Sequence, residues 1–157
     1  MIEPGKPIQI DANKGAVRIK RIDRDLPLPK YETSGSVAFD VLARVDTEVP
    51  AGEIALVPGN VIVEIPENYM LNLASRSSTP LKKGLMTPHG IGIIDQDYCG
   101  PEDELKVQLY NFTKQPVTVK RGERVAQGIF ARIDRFAWKE VEEIGRPTRG
   151  GFGSTDG

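Results

Sequence analysis

The chain has 157 residues, a natural length for one domain with a single core. Lys and Arg number 21 against 22 Asp and Glu, with the signs interspersed and a net charge of -1, so no basic stripe points to a nucleic-acid polymer. No apolar run approaches the ~18 residues of a membrane span, the first fifteen residues lack the apolar core of a signal peptide, and one Cys with one His excludes an internal disulfide and a structural zinc site, which suits a reducing cytoplasm.

The 16 Gly and 12 Pro are scattered, and Val, Ile, Thr and Tyr fall in short runs between them. That pattern predicts an all-β chain of many short strands. Ala16-Val-Arg-Ile-Lys-Arg-Ile22 alternates and reads as a strand. Pro27 and Pro29 keep the next stretch extended but out of a central strand. Val37-Ala-Phe-Asp-Val-Leu-Ala43 is an apolar strand interrupted by one acid, Asp40. A charge there is costly to bury unpaired. It needs a cation, a metal-bound water or a bend that exposes it. Strands from Glu53 to Val57 and from Val61 to Ile65 flank the turn Pro58-Gly-Asn60.

Met70-Leu-Asn-Leu-Ala74 then leads into Ser75-Arg-Ser-Ser-Thr79, closed by Pro80. Hydroxyls beside Arg76, between a strand and a possible single helical turn, can cradle phosphate oxygens. Helix N-caps use the same residue types.

Gly90 to Asn111 contains two apolar runs around a Gly/Pro/acid-rich turn, the signature of a β-hairpin. Ile93 and Ile94 would bury its first arm. Val107, Leu109 and Asn111 alternate with Lys106, Gln108 and Tyr110, a strand with one wet face. Asp95 and Asp97 sit where the first arm meets the turn, and alternation alone leaves open which faces inward. The stretch reads either as a nucleoside-sized pocket with a carboxylate base or as a solvated acidic turn.

Further on, Pro116 to Lys120 and Val125 to Ile133 read as strands, the second with Gln127 among apolar neighbours. Trp138 to Ile144 is the last short apolar segment. The end of the chain, Gly150 to Gly157, has four Gly in eight residues and is expected to be mobile without a ligand. Its Phe and hydroxyls could close as a lid.

Five segments in order resemble the trimeric dUTPases. They are Gly35-Ser-Val-Ala-Phe-Asp-Val-Leu-Ala43, Ser75-Arg-Ser-Ser-Thr79, Gly92-Ile-Ile-Asp-Gln-Asp-Tyr98, Gly122-Glu-Arg-Val-Ala-Gln127 and Arg149-Gly-Gly-Phe-Gly-Ser-Thr155. The resemblance implies a jelly-roll-like subunit over residues 1–145, a lid over 146–157, and a homotrimer with shared active sites. It implies Mg²⁺-dependent hydrolysis of dUTP to dUMP and pyrophosphate, which limits uracil in DNA and supplies dUMP for dTTP synthesis. Asp95 is implied to deprotonate the attacking water. Tyr98 would pack under the deoxyribose, and backbone groups around His89, Gly92, Ile93 and Ile94 would read uracil. Arg76, Ser77 and Ser78 would hold phosphates, and Asp40 and Gln127 would steady them and waters on the metal. Phe152 would stack on the base while Arg149, Gly153, Ser154 and Thr155 close over the phosphates.

The chain also departs from the family pattern. Val37 and Ala38 replace a small residue and Gly, Ser75 replaces Pro, His89 replaces Asn, and Cys99 replaces a basic residue. The turn is longer around Pro101–Asp103, Lys106 lies near the sugar side, and a shorter last spacer makes Arg146 a rival to Arg149. A dCTP deaminase, which shares the fold, carries a catalytic Glu in its corresponding strand. Here Glu104 lies off that place.

Overall fold

The computed structural model describes residues 15–150. Alternating apolar residues form eleven strands among the described residues: β1 (Ile19–Arg21), β2 (Phe39–Leu42), β3 (Thr47–Val49), β4 (Ile54–Pro58), β5 (Val61–Val63), β6 (Tyr69–Ala74), β7 (Leu85–Met86), β8 (Ile91–Ile94), β9 (Lys106–Asn111), β10 (Val117–Val119) and β11 (Arg124–Arg132). One six-residue helix, α1 (Ser78–Lys83), follows β6 and stops at Gly84, whose φ of 65° is the left-handed cap. The described chain is therefore all-β in its ladders, as expected. It has no helix long and apolar enough to cross a membrane.

Every pairing is antiparallel. The sheets are β2-β11-β6-β8, β4-β9-β7, and the ribbons β1-β5 and β10-β3. Their inward residues join one cluster, with Val41, Leu71 and Leu73 from the four-stranded sheet and Val57, Leu85, Val107 and Leu109 from the three-stranded one. β9 keeps the expected alternation, burying Val107, Leu109 and Asn111. The Asn111 amide is satisfied by donating to the carbonyls of Val49 (2.9 Å) and Gln115 (2.8 Å).

The hairpin expected from Gly90 to Asn111 does not form. β8 pairs with β6, whereas β9 lies between β4 and β7, so the two arms belong to different sheets. The connection between them is too long and too well anchored to impose a hairpin register. It makes its own turns, with Tyr98 N–H donating to Asp95 O (3.2 Å) and Asp103 N–H to Gly100 O (3.2 Å). Ile94 is half-buried, but Ile93 is 60% exposed, so the first arm is not buried as expected. The last apolar segment, residues 138–144, lies outside any strand, and its Trp138 is fully exposed. The short β3 and β7 were not anticipated, because two or three residues carry no readable period.

The far end of the long turn is pinned by Glu104, which is buried. Its carboxylate accepts from Arg44 Nε (2.7 Å), Arg44 Nη2 (3.1 Å) and the Asn60 backbone N–H (2.9 Å). Asn60 has a φ of 69°, so it completes the expected Pro58–Asn60 turn in the left-handed region that Asn tolerates. Its own amide spans the backbone N–H and C=O of Asp23. Glu104 therefore serves a structural ion pair.

In the four-stranded sheet, Gly128 on β11 faces Phe39 on β2. A Cβ at Gly128 would lie 2.4 Å from the Phe39 ring, so only glycine lets the ring cross the sheet there. The ring packs edge-on to Tyr31 and tilted against Phe130.

Candidate active site

The parting of β8 and β9 leaves a cavity of about 370 Å³ between them. That is the size of a small-molecule site. His89, Gly92, Ile93 and Ile94 line it from the first arm and Lys106 from the second, so five residues expected to contact the nucleoside share one wall or the other. β8 is also the edge of its sheet. Among the described residues no strand pairs with its outer backbone groups, and an edge of this kind can pair with a flat polar ring. The stretch therefore borders a cavity, as one of its two readings expects, but Asp95 and Asp97 are exposed and do not line it.

The cavity wall is held in shape locally. Gly90 turns the chain at φ 78°, and the His89 ring Nδ1 lies 2.7 Å from Ile91 O. A Cβ on Gly92 would come within 3.3 Å of Leu73 Cβ and 3.6 Å of the His89 ring, so glycine keeps this wall thin. Thr87, which belongs to none of the matching segments, is buried in the lining. Its hydroxyl is 2.6 Å from that of Ser75, and its backbone N–H donates to the same Ser75 oxygen (3.0 Å).

A second cluster assembles where β2, β11 and β6 run side by side. Asp40, Gln127 and Ala74 are in register across the three strands. Asp40 forms ion pairs with Arg76 Nε (2.8 Å) and Arg124 Nη1 (3.3 Å). The acid in an apolar strand is thus balanced by cations. Arg124 was not anticipated as a partner, although it stands inside the fourth matching segment. Gln127 Nε2 donates to Ser75 O (3.1 Å), fixing the residue before Arg76. Ser77 is the N-cap of α1, yet its side chain makes no capping hydrogen bond. Its hydroxyl is therefore not consumed by the helix, and Ser78 begins the first turn. Asp40, Arg76 and Gln127 come together as expected.

Asp95 is the first residue beyond β8 and is exposed, with Tyr98 one turn later. The Tyr98 hydroxyl donates to Glu104 O (3.1 Å), which fixes the ring against the core. Asp95 continues the β6–β8 ladder past the rung Leu71–Ile94, whereas Arg76 leaves it past the rung Ala74–Ile91. The ladder between those rungs spans about 10 Å. A single chain therefore holds Asp95 and the Arg76 cluster at opposite ends of the same pair of strands.

Arg146 and Arg149 are exposed and outside any strand. Phe152, Gly153, Ser154 and Thr155 lie outside the described residues. Among the described residues no group of three or more His, Cys, Asp and Glu is placed to hold a metal. Cys99 is half-buried with its thiol 3.7 Å from Gln96 O, and the exposed Pro101 and Glu102 make the longer turn a surface feature.

Residues 24–156 match the dUTPase family model. The chain is 41% identical over 145 residues to the deoxyuridine 5'-triphosphate nucleotidohydrolase of Dictyoglomus turgidum, covering 88% of this chain and 97% of that one. It is 39% identical to the enzyme of that name from Caldanaerobacter subterraneus, covering 88% and 96%. The dUTPase of Streptococcus mutans superposes with a TM-score of 0.70 at 35% identity, covering 76% of this chain and 98% of that one. A dUTPase of Staphylococcus phage phi11, solved with a structural Mg(II) ion, shares the fold at 21% identity, with a TM-score of 0.74 over 82% and 98% of the two chains. With a family model spanning most of the sequence and relatives aligned nearly end to end, the chain belongs to the dUTPase family.

Proposed function

We propose that the chain hydrolyses dUTP to dUMP and pyrophosphate, with the base in the cavity between β8 and β9 and Asp95 as the general base. The observation that carries this reading is that cavity. It is nucleoside-sized, bordered by an unpaired strand edge, and followed directly by a carboxylate. Uracil presents acceptors at O2 and O4 and a donor at N3, which backbone donors and acceptors of β8 can match. Cytosine replaces the O4 acceptor with an amine, so binding it leaves groups of the edge unpaired, and unpaired groups reject near-isosteres strongly. Tyr98, held by its hydroxyl, closes the sugar side, and Lys106 borders the cavity opposite β8.

The phosphates lie on the Arg76–Ser78 turn, where Arg76 supplies a guanidinium oriented by Asp40, and the Ser77 and Ser78 hydroxyls and nearby N–H groups supply donors. Asp95 orients a water and takes its proton as the water attacks the α-phosphorus, and pyrophosphate leaves. The donors at this cluster are oxygens, from Asp40 and Gln127, and Asp40 is already paired with two arginines. Such a set fits Mg²⁺ carried by the substrate phosphates and touched by the protein through water. When bound, the ion offsets charge on the triphosphate and on the leaving pyrophosphate. The end of the chain, with Arg149 or Arg146, Phe152, Gly153, Ser154 and Thr155, acts as the lid. Hydrolysis of this kind limits uracil entering DNA and supplies dUMP for dTTP synthesis, a role suited to the cytoplasm.

The active chain is a homotrimer of jelly-roll-like subunits. Two observations support it. Asp95 and Arg76 stand at opposite ends of one ladder, so a single nucleotide meets both only if neighbouring chains contribute them. The isolated chain also leaves apolar surface uncovered: Ile54 and Leu56 on β4, Met86 on β7, and Phe136, Trp138 and Ile144 beyond β11. Patches of this kind mark association surfaces.

Pyrophosphate release from dUTP, UTP, dCTP and dTTP, with and without Mg²⁺, tests the reading. Release from dUTP alone, lost without the ion, is expected. Asp95→Asn should bind a non-hydrolysable dUTP analogue normally and lose most turnover. Ammonia released from dCTP, or undiminished turnover by Asp95→Asn, would overturn the reading or its base assignment.

A further inference from the structure

Ser75 occupies a junction that the reaction as described does not use. Its carbonyl accepts from Gln127 Nε2, which lies in register with Asp40. Its hydroxyl accepts the Thr87 backbone N–H at 3.0 Å and lies 2.6 Å from the Thr87 hydroxyl. Thr87 is buried and lines the cavity between β8 and β9. The next residue after Ser75 is Arg76, paired with Asp40. The β6–β8 ladder ends at the rung Ala74–Ile91. Beyond that rung the two chains would diverge, one into α1 and the other into the turn through Pro88 to Gly90. Ser75 replaces the missing rung with a side chain. It is the point where the anion-binding turn and the wall of the base cavity are tied together.

We propose that Ser75, through Thr87, is a positioning residue that sets the offset between the phosphate-binding turn and the base cavity. This rests on the dUTP reading above. In a closed ring of three identical chains, the offset within one chain also fixes the offset between one chain's cavity and the next chain's turn. A nucleotide that bridges two chains therefore feels the Ser75–Thr87 link in every site. Neither half-site depends on it: the base edge belongs to β8 and the guanidinium to the Asp40 pair. Base-only and phosphate-only ligands thus bind whether or not the link is intact. What the link contributes is their alignment in one molecule, and small misplacements of reacting groups are costly in rate.

The test compares wild type, Ser75→Ala and Ser75→Thr for dUTP turnover and for inhibition by deoxyuridine and by tripolyphosphate with Mg²⁺. Loss of one hydrogen-bonded link is worth about tenfold in kcat/KM, the size of a typical net hydrogen bond. Ser75→Ala is expected to lose that factor while both inhibition constants stay within about twofold, and Ser75→Thr, which keeps the hydroxyl, is expected to recover it. A scaffold role would instead weaken both inhibitors in parallel with turnover, and that outcome overturns the proposal. So does unchanged kcat/KM in Ser75→Ala. If Ser75→Ala does not fold, Thr87→Val removes only the hydroxyl pair; a folded Thr87→Val with wild-type kcat/KM overturns the link as well. Failure of the wild-type chain to release pyrophosphate from dUTP is a different result, for it removes the functional reading on which this one stands.

Discussion

Truncation of Glu104 to alanine gives the sharpest test of what holds the site's second arm in place. The substitution removes the acceptor of two Arg44 N–H bonds and of the Asn60 backbone N–H. Glu104 and Arg44 side chains are 10% and 29% exposed, so the pair is largely out of water and Glu104 holds the guanidinium above its usual pKa through their hydrogen bonds. Breaking a buried pair by deleting one partner costs about 3–5 kcal/mol. Arg44 keeps some access to water, so the low end applies, about 3 kcal/mol. At about 2–4 °C per kcal/mol for a chain of this size, the melting temperature should fall by about 6–12 °C. Calorimetry at one fixed protein concentration measures it, because association also stabilises. The double variant Arg44→Met with Glu104→Leu should regain part of the loss, since it leaves no orphan charge although the buried Asn60 N–H stays unpaired. A Glu104→Ala chain that melts within a degree of wild type, or a double variant worse than the single one, would refute the reasoning.

Three further outcomes are expected. Gly128→Ala should cost about 1–3 kcal/mol, as overpacking does, because its methyl would meet the Phe39 ring at 2.4 Å; urea unfolding with unchanged stability would contradict the packing. The Asp23 carboxyl is held below its usual 3.8 by the Arg121 guanidinium and then the Asp25 N–H, and that of Asp46 by the Arg121 N–H and then Lys120. These groups stabilise the fold above pH 3.8, and that contribution fades as pH falls through the lower folded values; Asp23→Asn and Asp46→Asn should flatten the acid limb of a melting-temperature profile while leaving the neutral-to-alkaline slope unchanged. Deleting residues 149–157 should leave the assembly intact in ultracentrifugation and depress turnover severely; loss of assembly would make that segment structural.

Much of the site was legible residue by residue. Asp40 announced itself as a charge in an apolar run, and the structure answers with Arg76 and Arg124. The alternation of β9 was readable because one face is wet and the other buried, so period and burial agree. The Gly90–Asn111 stretch misled for the opposite reason. Two apolar arms around a turn look alike whether they pair with each other or with strands brought in from afar. The segment from Trp138 to Ile144 is legible as apolar, but apolarity alone does not say what covers it. The bonds that Ser75, Thr87 and Glu104 make have no local signal, since a hydroxyl or carboxylate becomes a link only when its partner, 12 to 60 residues away, is folded against it.

By itself the sequence determined the strand-rich class, the candidate acids and hydroxyls, and the family, because these depend on residue type, local period and order along the chain. Tertiary structure decided that the two arms part to make a cavity, that Asp40 is neutralised by two arginines, and that Asp95 and Arg76 stand apart within one chain. Those are pairings across long loops, chosen by the best burial for the whole chain, and no local pattern encodes that competition.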